Sequence, residues 1–588
     1  MNNDVIEKIN LTKAGSRYIV PFKILPVTAS HSESNSSVQS SSDNECSVDV
    51  YSIISNSLNK SEDWQQLKTN TDLVRFMSHD NNDSESSKLK TDLYKHILKT
   101  LSINTEASDH PGCSIGASWE YTPLLQQSFR PVVQCNITVC TSSQNIPVLQ
   151  DDENLSEKTF EFEISRAGIF IFRTGIGIFW FEVKNSSRED LSPFTKIEDF
   201  IAFQHSFKEL SAPWLKDRFI LVNSVQKDEN SKYFVTGKWI TDVLDSILSE
   251  NDGNSLRIEF YSSREYAVSD EQTAESASQT KYRILPDKAI LFNLAVMKPN
   301  NEHYFEDIRK ELTHIGFMLS NGFNVSYLMP DNIEQLVLQP FSNVLWHASS
   351  FGMGQFIVYN KTNSFFFENI LPDRMFSDYF IIYIILLYQQ YSILFYTEQL
   401  ELTFPADLNK ISLNSLQNYS EKINMFLIKS VYASVSHLEQ HNNVYRYIGK
   451  TLCIKDNIND LTVGLDSLSE IIRNKNSDED AEREKQISNS LNSLALVVIA
   501  SALTDTYAFL DNDVPDLING LFRNNYIPEQ NQPYCWFVIK LFFILLLVIL
   551  FIKVFGKIYM QKKANKKGNK GKDLKHLYKK FTSVRDQK

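Results

Sequence analysis

Two kinds of hydrophobic pattern divide the chain. Up to about residue 371, short runs rich in β-branched and aromatic residues, each bounded by turn residues, predict strands. They include "RYIVPFKILPVTA" (17–29), "RPVVQCNITVCTS" (130–142) and "TFEFEISRAGIFIFRTGIGIFWFEVKN" (159–185), the last folding back as a hairpin or two around Gly175 and Gly177. "DRFILVNS", "LRIEFYSS", "ILFNLAVM" and "GQFIVYNKTNSFFFENILP" continue the series. Between them, "IEDFIAFQHSFKEL" and "KWITDVLDSILSEN" space their apolar residues by three and four and predict helices. Residues 1–371 therefore predict a mixed α/β domain. Two polar stretches within it, 30–49 and 80–90, hold little to bury and are expected to be flexible.

After Pro372 the pattern is helical throughout. Leu416, Tyr419, Ile423, Phe426 and Leu427 trace one apolar face, and a charged run leads on to residue 488. Residues 372–488 are expected to form a helical stem. One apolar stretch in it, "DYFIIYIILLYQQYSILFYTEQL" (378–400), is long enough to cross a bilayer but carries Gln389, Gln390 and five tyrosines.

Near the end, "CWFVIKLFFILLLVILFIKVFGK" (535–557) is interrupted only by Lys540 and predicts a transmembrane helix over 534–556. Trp536 and Tyr534 stand where interfacial anchors belong, and the basic run after it marks the cytoplasmic side. The opening residues lack a signal peptide, so the N-terminal part is also expected in the cytoplasm and the number of crossings is even. "LNSLALVVIASALTDTYAFLDN" (491–512) supplies the partner span, taken as 489–510, with a short acidic outer loop over 511–533 and a cytoplasmic tail over 557–588. On a helix, Ser490, Ser493, Leu494, Val497, Ser501, Thr504 and Asp505 gather along a stripe of mostly small and polar side chains suited to line water in an oligomer. The alternative is an amphipathic core helix ahead of a single anchor.

Charge sharpens this division. The net charge is −12, yet Lys553 to Lys588 carries thirteen Lys or Arg against two Asp. An acidic body with a basic tail speaks against a protein that coats nucleic acid. Six scattered cysteines, with Cys135 and Cys140 the nearest pair, do not form a disulfide framework.

Signals for catalysis are thin. No phosphate-binding GxxxxGK[ST] loop occurs, Trp180 replaces the third glycine of a dinucleotide turn after Gly175 and Gly177, and "HLEQH" (His437, His441) lacks the Glu directly after the first His of a zinc protease. No enzyme is expected. Arg166 and Arg173 flank "AGIFIF" and are candidate contacts for an anionic ligand through a charge-assisted fork, with surface salt bridging as the default. Asp478, Glu479 and Asp480 are candidate metal contacts or a solvated face.

The order of an α/β domain, long helices, two closely spaced spans and a basic tail resembles the CorA-like family of two-span ion transporters. The likeness rests on residues 375–560, including "YFIIYIILLYQQYSILFY", "HLEQHNNVYRYIGKTL" and "LNSLALVVIASALTDTYAFL". It implies a homopentamer in the bacterial inner membrane, both termini cytoplasmic and the first span lining the pore. The family's Gly-Met-Asn triplet is replaced by "TDTYAFLDN", so its ion-selecting residues do not carry over, and Thr504 and Asp505 are candidates by position alone. The enlarged N-terminal part looks like that of CorA-like proteins associated with type III CRISPR systems. That resemblance implies an antiviral channel gated by a conjugate of S-adenosylmethionine and AMP, with no direct contact to nucleic acid. A transporter gated by Mg2+ and a tethered binding protein without a pore are the alternatives.

Overall fold

The computed structural model describes residues 9–26, 49–68, 91–101, 115–140, 155–185, 196–213, 218–222, 234–249, 256–268, 281–299, 305–324, 336–358, 365–403 and 413–522, with isolated positions besides. Side chains within 495–522 lie outside this description. So do the stretches 30–48 and 80–90 expected to be flexible, residues 523–533, most of the second expected span and the basic tail.

Two compact units divide the chain, Met1–Ser469 and Glu470–Lys588. The first opens with β1 (Ile9–Pro26), α1 (Val50–Lys60), β2 (Trp64–Gln66), α2 (Lys95–Leu101), β3 (Gly116–Tyr121), β4 (Val132–Cys140), β5 (Leu155–Phe172) and β6 (Ile176–Asn185). Then come α3 (Ile197–Phe207), β7 (Phe219–Leu221), α4 (Thr236–Ser249), β8 (Leu256–Phe260), β9 (Ser263–Val268), β10 (Lys281–Pro286), β11 (Ile290–Pro299) and α5 (Phe305–Asn321). The strands β12 (Val337–Phe341), β13 (Val344–Ser349) and β14 (Gly352–Val358) precede helices α6 (Phe380–Thr403), α7 (Leu413–Ser430), α8 (Glu439–Thr451) and α9 (Ile454–Phe522).

Nine strands run in the order β12-β13-β14-β11-β1-β6-β5-β3-β2, with β4, β7 and β8 paired off this path, and β9 with β10 forms a separate hairpin. Neighbours are antiparallel except β11 and β14, whose parallel pairing needs the long crossover that contains α5. The β5–β6 hairpin turns at Gly175, whose φ of +86° a residue with a side chain would rarely adopt.

Alternation along the central strands assigns two buried faces. Tyr18, Val20, Phe22, Phe179 and Phe181 point into the larger core with residues of α3 and α4. Ala295, Met297, Leu345 and Phe356 pack on the same side with α3 and α5. The opposite face carries Arg17, Trp180, Phe292 and Phe172, and α6 covers it: Phe380 lies against Trp180 and Phe292, and Tyr388 stacks on Phe172 at 4.0 Å. The unit is a three-layer arrangement with the sheet in the middle.

Helix α6 resolves one sequence ambiguity. The helical stretch Leu371–Leu400 is the one helix among the described residues long and apolar enough to cross a membrane, yet 72% of its most apolar 18-residue window is buried within the protein. Phe380 to Tyr388 are each at most 1% exposed. A helix apolar on every side is a core helix when a sheet and other helices surround it. The boundary expected at residues 371–372 therefore falls inside the first unit, whose core includes α6 and the buried faces of α7 and α8.

Only the last part of the expected stem, residues 454–488, shares one element with the expected first span. Helix α9 is 69 residues long and takes in 489–510. It continues to Phe522, so residues 511–522, expected to begin an outer loop, are helical.

Candidate functional site

Charged residues inside a doubly covered sheet are the chemistry most in need of explanation. In β1, Arg17 follows Ser16 and precedes the apolar run Tyr18 to Val20. The strand register sets it opposite Glu182 of β6, and Glu182 in turn opposite Arg166 of β5. Three adjacent strands thus carry a positive, a negative and a positive side chain in one row. Arg17, Glu182 and Arg166 are 0%, 1% and 7% exposed.

Arg17 is fully engaged. Its Nε donates to Glu182 Oε2 at 3.1 Å and its Nη1 to the Phe376 carbonyl at 2.6 Å. The guanidinium carbon lies 4.6 Å from the Trp180 ring centre, 4.9 Å from that of Phe376 and 4.5 Å from that of Phe380. Burial pulls its pKa down to about 10 against the opposing pull of Glu182, and Arg166 adds to the fall. Such a guanidinium, fixed by a carboxylate, a carbonyl and three rings, ties the approach to α6 onto the sheet rather than receiving a ligand.

The approach itself is irregular. Two π turns, Phe366–Ile370 and Met375–Tyr379, flank a single α turn, Leu371–Arg374. Asp378, in the second, is fully buried, with Oδ1 accepting from Thr91 Oγ1 at 2.8 Å and Oδ2 from Arg374 Nη1 at 2.6 Å. Arg374 also reaches Asp92 at 3.0 Å. Beside them, His441 Nδ1 is 3.0 Å from Ser436 Oγ, and burial pushes the imidazole pKa down against the pull of Asp378 and Asp92. The trio of serine, histidine and acid is not arranged for nucleophilic attack. Ser436 Oγ donates to the Asp92 carbonyl at 2.6 Å, accepts from the Leu438 amide and is sealed from solvent.

The residues singled out from the sequence are dispersed. Arg166 is buried, with Nη1 donating to the Phe76 carbonyl at 3.1 Å. Arg173 is exposed just beyond the end of β5, its guanidinium carbon 4.9 Å from the Tyr51 ring centre. Seven residues of extended chain, about 23 Å, separate the two, so they do not form one anion clamp. His437 and His441 also part company: α8 begins at Glu439, leaving His437 outside the helix against Tyr94 while His441 packs on Tyr379. Cys135 is buried on β4, and the side chain of Cys140 on the same strand lies outside the described ones.

Ser490, Ser493 and Leu494 are exposed on α9, Ser493 Oγ bonding back to the Asn489 carbonyl at 3.0 Å. Val497, Ser501, Thr504 and Asp505 lie on the same helix with side chains outside the described ones. Asp480 is exposed there too, and among the described residues no group of three His, Cys, Asp or Glu side chains is placed to hold a metal. A cavity of about 160 Å³ lies between α4, β8 and β10, lined by Thr241, Leu244, Asp245, Ile258, Phe260, Arg283 and Ile284. Arg283 is paired with Asp242 and Asp245 at its rim. The cavity is smaller than the roughly 300 Å³ at which drug-sized ligand pockets begin.

Sequence reasoning missed Arg17, Glu182 and Asp378. The available signal was a charge set inside an apolar run, at a strand position whose neighbours on both faces predict burial. No known protein family, curated protein or solved structure matches the chain.

Proposed function

We propose that the chain is an oligomeric membrane channel whose cytoplasmic α/β unit senses a ligand and whose helix α9 conveys the response to a first span at 489–510. The observation that carries this reading is the continuity of α9. It starts with Leu461, Leu465 and Leu468 buried and runs without a break through 489–510 to Phe522. A continuous helix transmits rotation and displacement along its axis, which a loop of the same length would dissipate.

Two further observations favour it. Burial of α6 accounts for the 378–400 stretch without a bilayer, leaving 489–510 as the partner of the expected span at 534–556. Ile487 and Leu491 are 61% and 62% exposed one helical turn apart, beside the expected pore stripe, an apolar pair that self-association of α9 would cover. A homopentamer with both termini on the cytoplasmic side of a bacterial inner membrane fits these features and the family resemblance.

The conjugate of S-adenosylmethionine and AMP is the ligand this reading favours. With Arg166 buried against Phe76 and far from Arg173, its contacts are to be mapped rather than assumed at those two arginines. The test is ion flux from liposomes holding the purified chain, with Mg2+ present throughout, before and after the conjugate is added. Leakage that appears only with the nucleotide supports the channel. Flux that ignores it but closes as Mg2+ rises points to a metal-gated transporter, and no flux under either condition to a tethered binding protein.

A further inference from the structure

We propose that the π turn Met375–Tyr379 is a latch that holds α6 in one of two registers, and that releasing it lets α6 advance by one residue. A π turn accommodates one residue more than an α turn, so turning one into the other displaces everything downstream. The displacement is about 1.5 Å along the axis and about 100° around it.

The two π turns differ in cause. Pro372 directly follows the Phe366–Ile370 turn by one residue, and its missing amide and its ring require such a widening. Met375–Tyr379 contains no proline, and the Phe380 amide reaches the Met375 carbonyl five residues back. Contacts from elsewhere in the chain hold three of its residues. Arg17 of β1 takes the Phe376 carbonyl, and Thr91 takes Asp378. Ser377 Oγ donates to the Asp373 carbonyl at 2.8 Å, doing what a helical amide would do. The Tyr379 ring is held between Trp346 of β13 at 4.6 Å and His441 of α8 at 4.7 Å. Residues 376, 378 and 379 are held by side chains from four separate parts of the fold, and Ser377 by its own hydroxyl.

Downstream, α6 has contacts to exchange. Gln389 Nε2 donates to the Tyr445 hydroxyl at 3.2 Å and to the Ser430 carbonyl, and Glu398 bonds Lys23 at 2.8 Å. In the present register both amide atoms of buried Gln355, on the sheet face beneath α6, and the Tyr383 hydroxyl have no protein partner. A shift of α6 therefore has hydrogen bonds to gain as well as lose. The latch does not depend on the chain conducting ions.

Cysteine pairs read the register directly. Tyr261 packs on Tyr391 with ring centres 4.5 Å apart and its hydroxyl donates to the Tyr391 carbonyl at 3.1 Å, so Tyr261→Cys with Tyr391→Cys, joined by a short bifunctional maleimide in a full-length chain carrying Cys46→Ser, Cys113→Ser, Cys140→Ser, Cys453→Ser and Cys535→Ser with buried Cys135 kept, reports the present register. Tyr261→Cys with Gln390→Cys reports the advanced one. Adding Thr91→Val and Ser377→Ala is expected to raise the 261–390 crosslink at least about tenfold relative to 261–391. The proposal is overturned if 261–391 stays dominant in the released chain, or if both crosslinks fall together. Ser377→Ala alone, which removes one hydroxyl, serves under the same two criteria where the double variant does not fold.

Discussion

Arg17 and Glu182 face each other across the β1–β6 pair, Nε to Oε2 at 3.1 Å, with both side chains sealed from solvent. The partners are 165 residues apart in sequence. Arg166 lies opposite Glu182 on the other side, so the carboxylate is the negative charge set between two buried guanidinium groups.

Breaking that row from the acid side is therefore costly. Glu182→Gln leaves two buried cations facing a neutral amide and is expected to destabilise the first unit by about 3–5 kcal/mol. Arg17→Met combined with Glu182→Leu, which removes the pair but leaves buried Arg166 without its facing carboxylate, is expected to recover part of that loss. Denaturant unfolding of the wild type, the single and the double variant checks both figures, and a double variant no more stable than the single one contradicts the account.

At the junction of α8 and α9, Cys453 is the one non-glycine residue with positive φ among those described, at +54°. An L side chain in that region costs about 1–2 kcal/mol, partly offset by the greater freedom glycine loses on folding. Cys453→Gly is expected to stabilise the chain by roughly 0.5–1 kcal/mol and Cys453→Val to destabilise it, as shifts in thermal midpoint would show.

Acid should loosen the face beneath α5. His347 is 2% exposed and burial lowers its pKa to about 4, from an ordinary value of 6.5. Both states are neutral above about pH 6.5. Between 6.5 and 4 the unfolded chain binds a proton that the folded chain refuses, so stability falls as pH drops through that window. The loss approaches roughly 3 kcal/mol at pH 4. His347→Gln is expected to flatten the slope, measured as denaturant midpoints at pH 7, 5.5 and 4.5, whatever it does to stability at pH 7.

For the channel reading, the expected pore stripe offers the most direct variant. Ser501→Trp is expected to reduce a nucleotide-evoked current at least about tenfold in liposomes while leaving nucleotide binding unchanged. A current untouched by that substitution removes Ser501 from the pore.

Local pattern alone determined much of the scaffold. The β-branched and aromatic runs around 17–29, 130–142 and 159–185 are strands β1, β4, β5 and β6 because alternation and turn residues act over a few positions, with Gly175 supplying the hairpin's positive φ. The helical spacing after residue 372 was legible for the same reason. Tertiary structure decided the rest. Hydropathy does not distinguish lipid from protein around an apolar helix, so only the packing of Phe172, Trp180 and Phe292 against α6 made 378–400 a core helix. Arg17 found Glu182, and residues 376, 378 and 379 met Arg17, Thr91, Trp346 and His441, through strand register and long-range approach. Those are relations between distant residues, and no window along the chain contains both partners.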